Sequence, residues 1–65
     1  MINKTEFQTM LEGGFGQFTK KELFEILANQ NTLHINTIKI QQTIDDKYIC
    51  CVDELTVKHH KREVN

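Results

Sequence analysis

Seven side chains in this sequence are of types that chemistry uses: His34, His59, His60, the adjacent Cys50 and Cys51, and the adjacent Asp45 and Asp46. The imidazoles and thiols are the donor types of a structural zinc site, which needs four ligands in a tetrahedron. Neighbouring residues in a strand point to opposite faces, so Cys50 and Cys51 do not converge on one ion. Pairing residues 33–44 with 48–59 places His34 opposite Lys58 and diagonal to His60, a spacing at which two imidazoles hold a transition metal only weakly. No metal and no cofactor is expected. A bridge between adjacent cysteines is strained and closes almost no loop. The thiols read as small apolar residues of a reduced, cytoplasmic protein.

Catalytic constellations fare no better. Asp45 and Asp46 fall in a tight turn, where aspartate bonds the local backbone. Neither cysteine follows a glycine-rich elbow or faces a histidine as a nucleophile and its base would. A chain of 65 residues also has little room to enclose a small-molecule pocket of several hundred cubic ångströms. No catalytic residue is assigned, and the protein is not expected to be an enzyme.

Gly13-Gly14-Phe15-Gly16-Gln17-Phe18 precedes a helix start, where N–H groups could hold a phosphate. It lacks the spacing and the Gly-Lys-Ser/Thr of a phosphate-binding loop, and it lacks the preceding strand of a dinucleotide loop. Cap and turn chemistry accounts for it. The calcium loop of a helix–loop–helix is missing as well. The basic cluster Lys58-His59-His60-Lys61-Arg62 offers Lys58, Lys61 and Arg62 as contacts to an anion or to nucleic acid. Eight basic side chains against nine acidic ones, net charge −1, are not the concentrated basic face of a domain built on phosphate contacts.

The positioning elements follow from patterning. At 65 residues with 38 % apolar side chains, the chain is a single domain near the lower limit for an unstapled core. Asn3 and Thr19 are each followed three positions later by glutamate, with an apolar residue just before the cap and another at the fourth helical position. This is a capping box with a hydrophobic staple, twice over. It predicts helices over Lys4 to Glu12 and Lys20 to Ala28, and Gly13-Gly14 ends the first. Helices this short are stable only when docked.

Leu33 to His59 reads as one long β-hairpin, turned by Asp45-Asp46-Lys47 with Ile44 opposite Tyr48. That register sets Lys39 against Asp53 and Ile35 against Val57. Ile38, Ile40 and Ile44 alternate on one arm, and Tyr48, Cys50 and Val52 on the other. Both arms then slip by one residue, which moves the apolar set to the opposite face. Phe7, Leu11, Phe18, Leu23, Leu27, Ile38, Ile40, Cys50 and Val52 form the expected core, with Phe15 also folded inward. Leu33, Ile35, Leu55 and Val57 form a second apolar face for another protein or a second copy, unless a β-bulge twists both halves onto one core.

The expected fold is α+β in the order helix, helix, strand, strand (ααββ), one small domain over residues 1–65 with residues 60–65 a frayed tail. Dimerisation through the hairpin would close the second face. No apolar run approaches the roughly 20 residues of a membrane span and no leader begins the chain, so a cytoplasmic protein is expected. Seven lysines to one arginine, seven isoleucines, five asparagines and no proline point to AT-rich coding and a low-GC bacterium, its phage or a mobile element. The expected function is a small non-catalytic modulator or inhibitor that binds a protein through its hairpin. The alternative is a winged-helix-like nucleic-acid-binding regulator, against which the acidic Glu22 and Glu25 of the second helix weigh.

Overall fold

The computed structural model describes residues 2–60. Among them the elements run α1 (Lys4–Leu11), β1 (Gly16–Phe18), α2 (Lys20–Ala28), β2 (Ile38–Gln42), β3 (Tyr48–Val52) and α3 (Glu54–His60). The strands form one antiparallel sheet in the order β1-β3-β2. Helices and sheet make an α+β domain, but ααββ is not its order. The expectation is corrected at the glycine segment and along both arms of the long hairpin.

Both expected helices form, and their caps divide the work unevenly. Thr19 and Glu22 complete a reciprocal capping box on α2. At α1 the Asn3 side chain accepts from the Glu6 N–H, but Glu6 does not return the bond. Its carboxylate instead takes the Gln17 N–H at 2.8 Å, and the Asn3 N–H goes to the second oxygen of Glu22 at 2.9 Å. One glutamate thus serves two helix N-termini, which frees the other for the sheet.

Gly13 ends α1 at φ 104°, a conformation that glycine adopts without penalty. The chain then enters β1, paired Gly16 to Cys50, Gln17 to Ile49 and Phe18 to Tyr48. A Cβ on Gly16 would lie 2.6 Å from the Glu6 carbonyl oxygen and 2.7 Å from the Phe18 ring. The strand lies against α1 only because that position is glycine. Phe18 is buried in the core, whereas Phe15 is exposed, which corrects its expected inward placement.

The hairpin is short, and its register is shifted by two residues. Thr43 pairs with Lys47 through Thr43 N–H to Lys47 O at 2.8 Å, so the loop is Ile44-Asp45-Asp46. Asp46 sits at φ 58°, the left-handed third position that such a loop requires and that aspartate tolerates better than lysine. The Thr43 hydroxyl accepts from the N–H groups of Asp45 and Lys47. A two-residue shift preserves faces, so Ile38 and Ile40 still lie on the side of Cys50 and Val52. Lys39 now faces Cys51, and its expected pairing with Asp53 is lost.

Beyond β2 and β3 neither arm continues as strand. Before β2, the Ile35 N–H bonds Gln30 O, the His34 N–H bonds Asn31 O, and His34 lies at φ 58°. These three features make a Schellman motif around a single helical turn. After β3, Asp53 caps α3: its carboxylate accepts from the Thr56 N–H at 2.8 Å and its carbonyl from the Val57 N–H at 3.1 Å. The apparent face switches are a helical C-cap and a helix start.

The buried apolar core among the described residues is Met10, Leu11, Phe18, Leu23, Ile26, Ile35, Cys50 and Val52, with Ile2, Phe7, Leu33, Ile38, Tyr48 and Val57 packed against it. Leu27 and Ile40, expected inside, are exposed. Thr56, fully buried, joins three segments: its hydroxyl accepts from the Asn36 N–H at 2.7 Å and bonds the Asp53 carboxylate. The Thr56 hydroxyl, and after it the Thr56 N–H, hold the Asp53 carboxyl below its ordinary range.

Candidate functional site

The proposed apolar face does not exist as one surface. Ile35 is 5 % exposed and belongs to the core, Leu33 and Val57 are half-buried against it, and Leu55 alone stands out on α3. A single core receives both halves, through a helix and a capped turn rather than through a bulge. Polar substitutions at Ile35 and Val57 would therefore disturb folding whether or not a partner binds. Lys58 is exposed on α3, 3.9 Å from Glu54, while Lys61 and Arg62 lie outside the described residues, as does all of the expected frayed tail except His60.

The histidines do gather at one end. The rings of His34 and His59 have centroids 4.5 Å apart, and His59 meets His60 edge-on at 5.1 Å. His34 and His59 line an open cleft of about 490 Å³ with Gln30, Asn31, Asn36 and Leu55. His60 is committed elsewhere, its Nε2 bonding the Leu33 carbonyl. Among the described residues no group of three or more His, Cys, Asp or Glu is placed to hold a metal ion. The cysteines take opposite faces, as adjacent strand residues must: Cys50 is buried and Cys51 half-buried, both as free thiols. Burial, and after it the neighbouring Cys51, pushes the Cys50 thiol up to about 11, the environment of an inert thiol and not of a nucleophile.

The hairpin is a surface with unmet main-chain binding capacity. In an antiparallel ladder, bonded and non-bonded pairs alternate. Thr43 bonds Lys47, and Thr37 accepts from the Asp53 N–H, so the odd-numbered residues of β2 face β3. The main-chain groups of Ile38, Ile40 and Gln42 point away from the sheet, and among the described residues no further hydrogen bond meets them. The helices pack on β1 and β3 and leave β2 overhanging. Ile40 is consequently 43 % exposed although it lies on the core face of the sheet, and Ile44 projects fully into solvent at the tip. Phe15, Ile49 and Cys51 line a shallow depression of about 250 Å³ with Lys39, Gln41 and part of Ile40.

Sequence patterning found the hairpin and placed Ile40 on the wrong side of the solvent boundary. The informative signal was present: Lys39, Gln41 and Gln42 make β2 more polar than β3, as an edge strand is. Comparison with protein families, with curated proteins and with solved structures gives no match. Among the described residues no helix is long and apolar enough to cross a membrane.

Proposed function

We propose that this protein is a small non-catalytic modulator or inhibitor that acts by binding another protein through its β-hairpin. One observation carries the reading: β2 presents an unpaired main-chain edge with exposed Ile40 on it and fully exposed Ile44 at its tip. Such an edge is a template for a further strand, and apolar side chains beside it supply contact area. Ile40 and Ile44 set exposed apolar surface beside those free backbone groups.

Photocrosslinking tests it. A photoreactive residue at position 44 should give a discrete adduct in lysate of a low-GC bacterium, competed by unlabelled protein. The same residue at position 20, on α2, should not. Equal labelling from both positions, or no competable adduct from position 44, overturns the proposal.

The second reading, a winged-helix-like nucleic-acid binder, gains one specific observation. A strand ahead of α2 joins the hairpin in a three-stranded sheet, so the hairpin is braced as a wing would be. The third helix follows the hairpin instead of preceding it, and Lys20 and Lys21 on α2 are interspersed with Glu22 and Glu25. A gel shift with random duplex DNA that weakens steeply with salt would favour this reading; no shift at low salt removes it.

A further inference from the structure

We infer that the open edge of β2 pairs with the same edge of a second copy of this chain, giving a continuous six-stranded sheet about a two-fold axis at Ile40. This rests on the hairpin being the binding surface and names the partner that its edge accepts. A two-fold axis requires a surface complementary to itself. The three outward-facing residues of β2, Ile38, Ile40 and Gln42, are symmetric about Ile40. Antiparallel pairing on that centre matches Ile40 to Ile40 and Ile38 to Gln42, so every outward N–H and C=O finds a partner and none overhangs.

Charge chooses among the registers. Centring on Lys39 would set two ammonium groups directly opposite each other, which is unfavourable. Centring on Ile40 sets Lys39 opposite Gln41 of the partner subunit, in a non-bonded pair where side chains approach closely. Lys39 faces Cys51 within its own sheet, and no ion pair engages it among the described residues. On the core face, the two exposed Ile40 side chains meet across the axis, covering apolar surface that the helices leave bare.

The opposite edge cannot compete. β1 is three residues long, and its one outward N–H, that of Gln17, is taken by the Glu6 carboxylate. A five-residue strand is far smaller than the roughly 20–30 residues a side of a standard interface, so the pairing should be weak and reversible.

Sedimentation equilibrium or light scattering from about 10 µM to 1 mM should show a monomer that becomes a dimer, and the range spans the weak association class. The amides of Ile38, Ile40 and Gln42 should gain exchange protection as the dimer forms, and that of Gln17 should not change. Gln41→Glu places a carboxylate opposite each Lys39 and should tighten the dimer on the order of three- to tenfold; Gln41→Lys should weaken it comparably. Ile40→Pro removes an outward N–H and should abolish dimerisation while circular dichroism reports an intact fold. A monomer at 1 mM with unchanged exchange at the three amides overturns the inference, as does a dimer indifferent to both charges at position 41. A monomer that still gives the competable adduct from position 44 leaves the protein-binding reading standing and removes only the second copy as its partner.

Discussion

The two edges of this sheet are built to opposite ends. β1 is short, lies under α1, contains a glycine that no larger residue can replace, and has its outward N–H closed by Glu6. β2 is longer, has little helix packed on it, and leaves Ile38, Ile40 and Gln42 with free main-chain groups. Edge strands invite pairing with other chains, and natural proteins usually blunt them. Here one edge is sealed by a carboxylate diverted from its own helix cap. The other carries only Lys39 as protection, and a lysine on an edge deters aggregation more than it deters a specific partner. The asymmetry ties β1 to the packing of the domain and leaves β2 as the edge open to further pairing.

The largest expected effect breaks the sealed edge. Gly16→Val brings a branched side chain to within 3 Å of the Glu6 carbonyl oxygen and the Phe18 ring. The carbonyl belongs to α1 and cannot move without the helix. A loss of about 3 kcal/mol or more is expected, a large part of the 5–15 kcal/mol typical of small domains. Urea denaturation of wild type and variant measures it. A variant as stable as wild type would mean that β1 is not packed on α1 as described.

The next effect tests the parity on which the open edge rests. Gln41→Pro removes an N–H that bonds β3 and should destabilise the domain by about 2 kcal/mol. Ile40→Pro removes one that faces solvent and should cost less than about 1 kcal/mol, since proline is tolerated where an edge N–H is free. Thermal melts of the two variants should rank in that order. The reverse order would place the odd-numbered residues outward and close the proposed interface.

Much of this architecture was legible from local rules, because the features that set it are themselves local. The capping residues fixed where α1 and α2 begin, and alternation found the cores of β2 and β3. The errors arose where one short pattern satisfies two periodicities. Leu55 and Val57 alternate as a strand would, yet in the short helix that forms it is the adjacent Thr56 and Val57 that turn inward while Leu55 is exposed. An aspartate followed by an acidic first turn is also a helix start, and the apparent slip at Asp53-Glu54 was that signal. Leu33 and Ile35 alternate because His34 adopts a left-handed conformation between them, which no pattern of residue types announces when the residue is not glycine. β1 was missed because a three-residue strand containing glycine is supported only by its long-range partners. The candidate site was half legible: the hairpin was identified, but whether Ile40 is covered depends on where the helices dock.

A smaller effect sharpens the contrast at the sealed edge. Glu6→Ala removes the acceptor for the Gln17 N–H while leaving Asn3 to cap α1. The bond is exposed, so water can replace it, and the cost should be about 1 kcal/mol. Its signature is positional: amide exchange should accelerate at Gln17 and stay unchanged at Gln41. Acceleration spread over the whole sheet would mean that Glu6 supports global packing and does not seal an edge.

The mildest perturbation is pH, and it should act on the two ends of the range through different residues. Glu22 is held below its ordinary value of 4.5, chiefly by the Thr19 N–H, and Asp53 below 3.8, chiefly by the Thr56 hydroxyl. In both, the unfolded chain binds a proton more readily than the folded one. Their stabilisation is therefore present above the ordinary values and is lost as pH falls through the lowered ones. Both residues are only half-buried, so the acid limb should be shallow and flatten further in salt. Cys50 acts at the other end. Its thiol rises from 9.0 to about 11 through burial, so the folded state keeps its proton longer than the unfolded one. Stability should decline as pH climbs from about 9 and level off above about 11. Urea midpoints across pH measure both limbs, and Cys50→Ala should remove the alkaline one. If Cys51→Ala removed it instead, the sheet would face the other way, with Ile40 turned from the core side and the open edge presenting a different set of side chains.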